Sequence, residues 1–217
     1  DWLNTNLAKF NRMLQGQRDL REVSKLILAE LAPMVKVQHG AFYIYETNND
    51  NEEQLLNLYA SYGFQERKHM ANQFRPGEGL LGQCLLEKQR ILLTNVPDDY
   101  VKINSALGEA TPLNIVILPI IFEGNVLAII ELASFNFFND MYLNFLDQLA
   151  ESIGIVINTV HVNMRTEELL KQSQSLTEEL QQQQEELTQT NEELEEKANL
   201  LVDQKAEVER KNREVEE

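Results

Sequence analysis

One cysteine, Cys84, in 217 residues leaves no partner for an internal disulfide and no CxxC pair for a zinc site, so neither can staple this chain. Basic residues are also scarce. Lys and Arg total 19 against 35 Asp and Glu, a net charge of -16, which offers no basic surface to a phosphate backbone and argues against nucleic acid as a partner. Residues 165–217 hold 7 basic and 16 acidic side chains, so much of the acidity reads as a solvated helix face. Long apolar runs are missing too. The longest, Ile115 to Phe122, is flanked by turn residues and falls well short of the ~18 residues that a bilayer span requires. No direct membrane contact is expected of this stretch. The three histidines, His39, His69 and His161, lie far apart without Cys or acidic partners at ligand spacing, so no metal is expected. With 43% hydrophobic and 25% charged residues, what remains is one folded domain with a helical extension, in a reducing, cytoplasmic compartment. The chain begins at Asp1 without methionine and stops inside a helical pattern, from which we expect a piece of a longer protein, whether or not that parent is membrane-anchored.

Leu3, Leu7, Phe10 and Leu14 form one helical stripe within residues 1–18, a connecting helix. Gly16 interrupts it. Asp19, with Glu22 three residues on, reads as a capping box for a second helix that carries Leu20, Val23, Ile27 and Leu31 as far as Pro33. AFYIYE and LLNLYASYG then have the character of strands, with TNNDNEE as a hairpin loop between them. NIVILPIIF and VLAIIELAS read as two central strands joined at Glu123, Gly124 and Asn125. Neither strand alternates cleanly, so the sheet should be covered on both faces, by terminal helices on one side and by the segments between the strands on the other. From Asn139 or Asp140 a helix begins and meets only Gly154 as an interruption; Phe145, Leu149, Ile153, Val156 and Val160 are its core stripe.

Beyond the domain, expected to span residues 19–162, Val162, Leu169 and Leu176 step by seven. A four-residue step to Leu180 follows, then sevens again through Leu187, Leu194, Leu201, Val208 and Val215. With these at heptad position d, position a holds Thr177, Gln184, Asn191, Ala198, Lys205 and Asn212. Leucine at d with asparagine at a favours a weak, parallel, in-register dimer, and the four-residue step is a stutter that locally unwinds the supercoil. Residues 163–217 are therefore expected to form a long parallel dimeric coiled coil. Such a helix can serve as a dimerisation stalk or as a moving part.

The order of elements, together with Gly77, Gly79 and Gly82 of PGEGLLGQ, Pro119 in the first long strand and Gly124 at the hairpin, resembles a GAF domain over Leu20 to Val160. MRTEELL at Met164 to Leu170 is similar to the start of the signalling helices that follow such domains in sensor histidine kinases, and DWLNTNLAKFNRMLQGQRDL to segments between HAMP linkers and GAF domains. The resemblance implies an α+β fold, an antiparallel sheet covered by helices on both faces, and a cytoplasmic region that senses and transmits signals. Its output would be a histidine kinase core in cis. That core is absent here, for no His-Glu-Leu-Arg-Thr-Pro stretch occurs, so this region is not itself expected to be an enzyme. The alternative is a ligand-free dimerisation or spacer module.

GAF domains hold small ligands between the sheet and one helical layer. The resemblance places Tyr43, Tyr45, Leu80, Cys84, Tyr100, Ile115 and Ile117 at that position, where they either line a ligand site or fill a core. The dimer seam would be Leu180, Gln184, Leu187, Asn191, Leu194, Ala198, Leu201, Val208 and Asn212. Cys84 lacks the surroundings of a bilin attachment site, the asparagine-lysine-aspartate set of cyclic-nucleotide GAF domains is not recognisable, and a single cysteine does not suit methionine-sulfoxide reduction. No cofactor is expected.

Overall fold

The computed structural model describes residues 2–47, 53–63, 72–98, 101–105 and 108–215. They fall into two units, one up to Met164 and one from Arg165 onward. In the first, helix α1 (Trp2–Leu14) buries Phe10 and Leu14, and α2 (Leu20–Met34) buries Val23, Ile27 and Leu31. Half of the expected capping box forms. The Asp19 carboxylate accepts from the Glu22 N–H at 2.9 Å, whereas the Glu22 side chain turns away to Lys25 Nζ at 3.0 Å. Pro33 lies within the last turn of α2 rather than ending it, and the Val35 N–H still reaches the Leu31 carbonyl at 3.1 Å.

Strands β1 (His39–Thr47), β2 (Gln54–Tyr62), β3 (Gln73–Phe74), β4 (Ile91–Thr94), β7 (Asn114–Phe122) and β8 (Asn125–Ser134) form an antiparallel sheet in the order β3-β2-β1-β8-β7-β4. β5 (Ile103–Ser105) and β6 (Gly108–Ala110) pair separately. Between β3 and β4 runs α3 (Gly79–Glu87). The last helix, α4 (Asp140–Val215), starts where Asn139 Oδ1 accepts from the Tyr142 N–H at 2.9 Å, an N-cap. The loop expected at TNNDNEE lies largely outside the described residues, but β1 and β2 pair on either side of it, Thr47 opposite Gln54.

The continuous apolar runs have a physical cause. On one face of the sheet Phe42, Ile44, Val116, Leu118, Ile120, Ala128, Ile130 and Leu132 pack against α1, α2 and the start of α4. On the other, Ala41, Tyr43, Ile115, Ile117, Ile129 and Ala133 pack with Leu81, Cys84 and Leu85 of α3 and with Val96 and Ile103. Each fully buried Ile or Leu contributes roughly 2 kcal/mol. An exposed pair such as Lys9–Glu30, at 2.8 Å, contributes at most about 1. Cohesion thus comes from the two apolar layers.

The β7–β8 turn is one residue tighter than its sequence suggests. Glu123 (φ 48°) and Gly124 (φ 78°) form it alone, both left-handed as a two-residue primed turn requires, and Asn125 already pairs with Phe122. Lys88 Nζ donates to the Gly124 carbonyl at 2.6 Å and fastens the end of α3 to this turn. The α4 stripe also differs slightly from expectation. Phe145, Leu149, Ile153 and Val160 are buried, but Val156 is half-buried and Ile157 takes the core position, because Leu146 and Ala150 widen the stripe around the helix. From Val162 to Arg213 every α4 residue is exposed. Among the described residues no helix is long and apolar enough to cross a membrane.

Gly154 allows α4 to approach the sheet: a Cβ there would lie 2.5 Å from the Ile121 carbonyl oxygen. Gly154→Ala should therefore cost about 1–3 kcal/mol through overpacking, more than the ~1 kcal/mol that alanine gains over glycine in a helix. A lowered urea midpoint with unchanged slope is the expected result.

Candidate functional site

Of the residues expected around a ligand, Tyr43, Cys84, Ile115 and Ile117 are buried in the layer between the sheet and α3, with Tyr45 and Leu80 half-buried at its edge. Tyr100 lies outside the described residues, as does His69. Alternation brings the strand residues together, since Ala41, Tyr43 and Tyr45 of β1 and Ile115 and Ile117 of β7 share the parity that points toward α3. Tyr43 meets Phe74 edge-on, ring centroids 5.6 Å apart.

α3 is held close by its glycine-rich entry. A Cβ on Gly82 would lie 2.4 Å from the Arg75 carbonyl oxygen and 2.7 Å from the Gly77 nitrogen, so this glycine is required by its own loop rather than by the sheet or a ligand. Glu78 closes the loop by accepting from the Arg75 N–H at 2.9 Å. The Cys84 thiol points into the layer, with its sulfur 3.2 Å from the Gln89 carbonyl oxygen. Burial, aided by the charge of Glu87, pushes its pKa up to about 12, so at neutral pH it is a thiol that packs and not a nucleophilic thiolate.

The chemically distinctive group on this face is Glu131, which the sequence reading missed. It sits at the middle of β8, paired with Ala41 on one side and Ile117 on the other. These two residues and its neighbours along the strand on the same face, Ile129 and Ala133, are each at most 5% exposed. Glu131 itself is only half-buried. Its carboxylate forms neither a hydrogen bond nor an ion pair with any described residue. Burial pushes its pKa from the ordinary glutamate range to about 7, with no neighbouring charge contributing. A signal was available: a sheet covered on both faces leaves no solvent-facing position in VLAIIELAS for a charge.

A second polar cluster lies on the opposite face. Tyr59 Oη donates to the Glu46 carboxylate at 2.8 Å, Asn57 Nδ2 to the same carboxylate at 3.1 Å, and the Arg21 guanidinium lies 4.7 Å from the centre of the Tyr59 ring. Burial, then the bond to Glu46 and its charge, push the Tyr59 phenol up to about 12. His161, on α4, is within electrostatic reach of Glu46; burial lowers its pKa and the Glu46 charge opposes the shift. His39 is buried in β1. Among the described residues no three His, Cys, Asp or Glu side chains are grouped to hold a metal ion.

The Glu131 shift fixes a pH dependence. Its carboxyl is protonated more readily folded than unfolded, so the cost of ionising it is absent below about 4, grows as pH rises toward 7 and is fully present above that. Glu131→Gln should remove this component. The variant is expected to match the parent in melting temperature near pH 4 and to exceed it at pH 8.

The family model for the GAF domain matches residues 17–158. Among solved structures, the chain is similar to the GAF domain of a phosphoenolpyruvate-protein phosphotransferase from Coxiella burnetii, with 20% identity and a TM-score of 0.60 over 75% of this chain and 96% of that one. It is similar to the nlh2 GAF domain of A. aeolicus in an inactive state, with 20% identity and a TM-score of 0.56 over 73% and 96%. It is also similar to the free methionine-R-sulfoxide reductase of Neisseria meningitidis in complex with its substrate, with 15% identity and a TM-score of 0.56 over 72% and 89%. At these identities what is shared is the fold. No curated protein matches the chain.

Proposed function

The chain belongs to the GAF domain family, a family of sensory and regulatory modules in signalling proteins, and from that premise we propose that it is the sensory and signal-transmitting region of a two-component sensor histidine kinase. It acts in the cytoplasm as a parallel homodimer. The domain's state passes through a two-stranded coil to a kinase core further along the parent chain. This region itself catalyses nothing.

One observation carries this reading. α4 begins in the domain core and then presents leucines and valines at heptad spacing with nothing of their own chain to cover them: Leu180, Leu187, Leu194, Leu201 and Val208 are each more than half exposed. Exposed apolar repeats of this length mark an interface. The spacing reaches back to Ile155, 57% exposed and seven residues before Val162. The repeat therefore starts within the matched GAF region, as a transmitting helix requires and a separate stalk does not.

The polar positions favour a switch over a fixed stalk. Thr177 satisfies its hydroxyl within its own helix, donating to the Ser173 carbonyl at 2.8 Å. The amides of Gln184, Asn191 and Asn212 have no such partner and must find one across the seam or in water, which leaves alternative registers close in energy. β1 offers a route between site and helix, because it presents Ala41 and Tyr43 toward α3 and Glu46 toward His161.

In a parallel, in-register dimer, Leu187→Cys should cross-link to its copy in the partner under mild oxidation, whereas Leu187→Cys mixed with Val208→Cys should give no mixed disulfide; antiparallel pairing gives no Leu187→Cys self-cross-link. Asn191→Ile with Asn212→Ile should tighten the dimer in sedimentation equilibrium and dull signal-dependent autophosphorylation in the full-length parent. Unchanged switching would leave only the spacer role.

A further inference from the structure

A carboxylate at the centre of an apolar layer is costly unless something pairs with it. Glu131 occupies the middle strand pair of the sheet, and each of its four neighbours on that face is buried, yet it retains accessible surface itself. A group that keeps accessible surface within a ring of buried ones has unfilled space, a recess, next to it on that face. Two of the four neighbours, Ala41 and Ala133, are the smallest side chains in that layer, so room beside the carboxylate is created where β1 and β8 pair. Tyr43 is the diagonal neighbour across that pair, within reach of the same recess by strand geometry. Apolar walls come from Ile117 and Ile129, and the aromatic pair Tyr43–Phe74 stands at one side.

We infer that Glu131 is the anchor of a ligand site on the α3 face that takes a small organic cation, a protonated amine or amidinium on an apolar or aromatic body. This rests on reading that face as the sensory site and names the chemistry it selects. Among the described residues no cation competes, for the carboxylate has no ion pair with any of them. A cationic head supplies the missing charge and N–H donors in surroundings that strengthen both interactions. The aromatic rings suit the face of such a head or the body that carries it. The net charge of -16 raises the local concentration of cations around the whole molecule. Neutral or anionic molecules of the same shape gain none of this, and an anion would be repelled by the ionised carboxylate.

The test is calorimetric titration of the 217-residue chain at pH 8 with three pairs of probes, each a cation and its neutral counterpart: benzylamine with benzyl alcohol, benzamidine with benzamide, and tryptamine with tryptophol. At least one cation should bind roughly tenfold more tightly than its counterpart. Glu131→Gln, which keeps the shape and removes the charge, should abolish that preference while retaining the parent's circular dichroism spectrum. At pH 6, titration in buffers of different ionisation enthalpy should detect protons released on binding to the parent and none from the variant. If the neutral partners bind equally well, or the variant keeps the preference, Glu131 is no anchor and the sensory site stands without it. If none of the six binds, Glu131 anchors no such cation and the proposal falls, while the signalling reading, which rests on α4, is decided by the cross-linking and switching tests.

Discussion

Everything in the first unit depends on three adjacent strands, β1, β8 and β7, being buried on both faces. An antiparallel sheet with one wet face could stand on a single helical layer. This one cannot, and the two layers that cover it are built differently. α1, α2 and α4 make a broad, mainly apolar contact that includes Phe10, Phe42 and Phe145. The opposite layer is thinner, one short helix and a few loop residues, fastened by Lys88 to the β7–β8 turn and, at the start of β4, by Arg90 to the Leu143 carbonyl at 3.2 Å and to Asp147. This domain therefore has a face built for permanence and a face that one small helix closes.

That asymmetry explains what could be read from the residues alone. The strand runs and the double coverage follow from periodicity, because burial leaves a repeating mark on sequence, and the α4 start follows from the capping preference of Asn139. The Glu123–Gly124 turn was legible to within one residue. Glu131 was not recognised, although the double coverage implied it: a charge inside AIIELAS has no wet side to occupy. The Glu46–Tyr59–Asn57 cluster was illegible for another reason. Its members come together only through the β1–β2 register, which shifts between Phe42 and Tyr43, and no local pattern specifies a register shift. Gly82 was visible as a glycine, but only the structure assigns its necessity to the Arg75–Gly77 backbone.

Polar groups in this chain fall into those that are satisfied and those that wait for a partner. Thr177, Thr188 and Thr190 return their hydroxyls to their own helix, so they can face another helix without needing it. Tyr59 and Glu46 satisfy each other where α2 and the first strands meet. The amides of Gln184 and Asn191 and the carboxylate of Glu131 belong to the second class. The waiting groups lie where a partner is proposed, a second chain in one case and a small molecule in the other.

An unpaired carboxylate in the α3 layer also bears on how long the domain survives. Anything that binds only the folded form and relieves that strain shifts the equilibrium away from unfolded chains, by an amount set by its free concentration relative to its dissociation constant. Cellular proteases draw on the unfolded fraction. The amount of folded protein present would then follow the supply of any molecule that binds there.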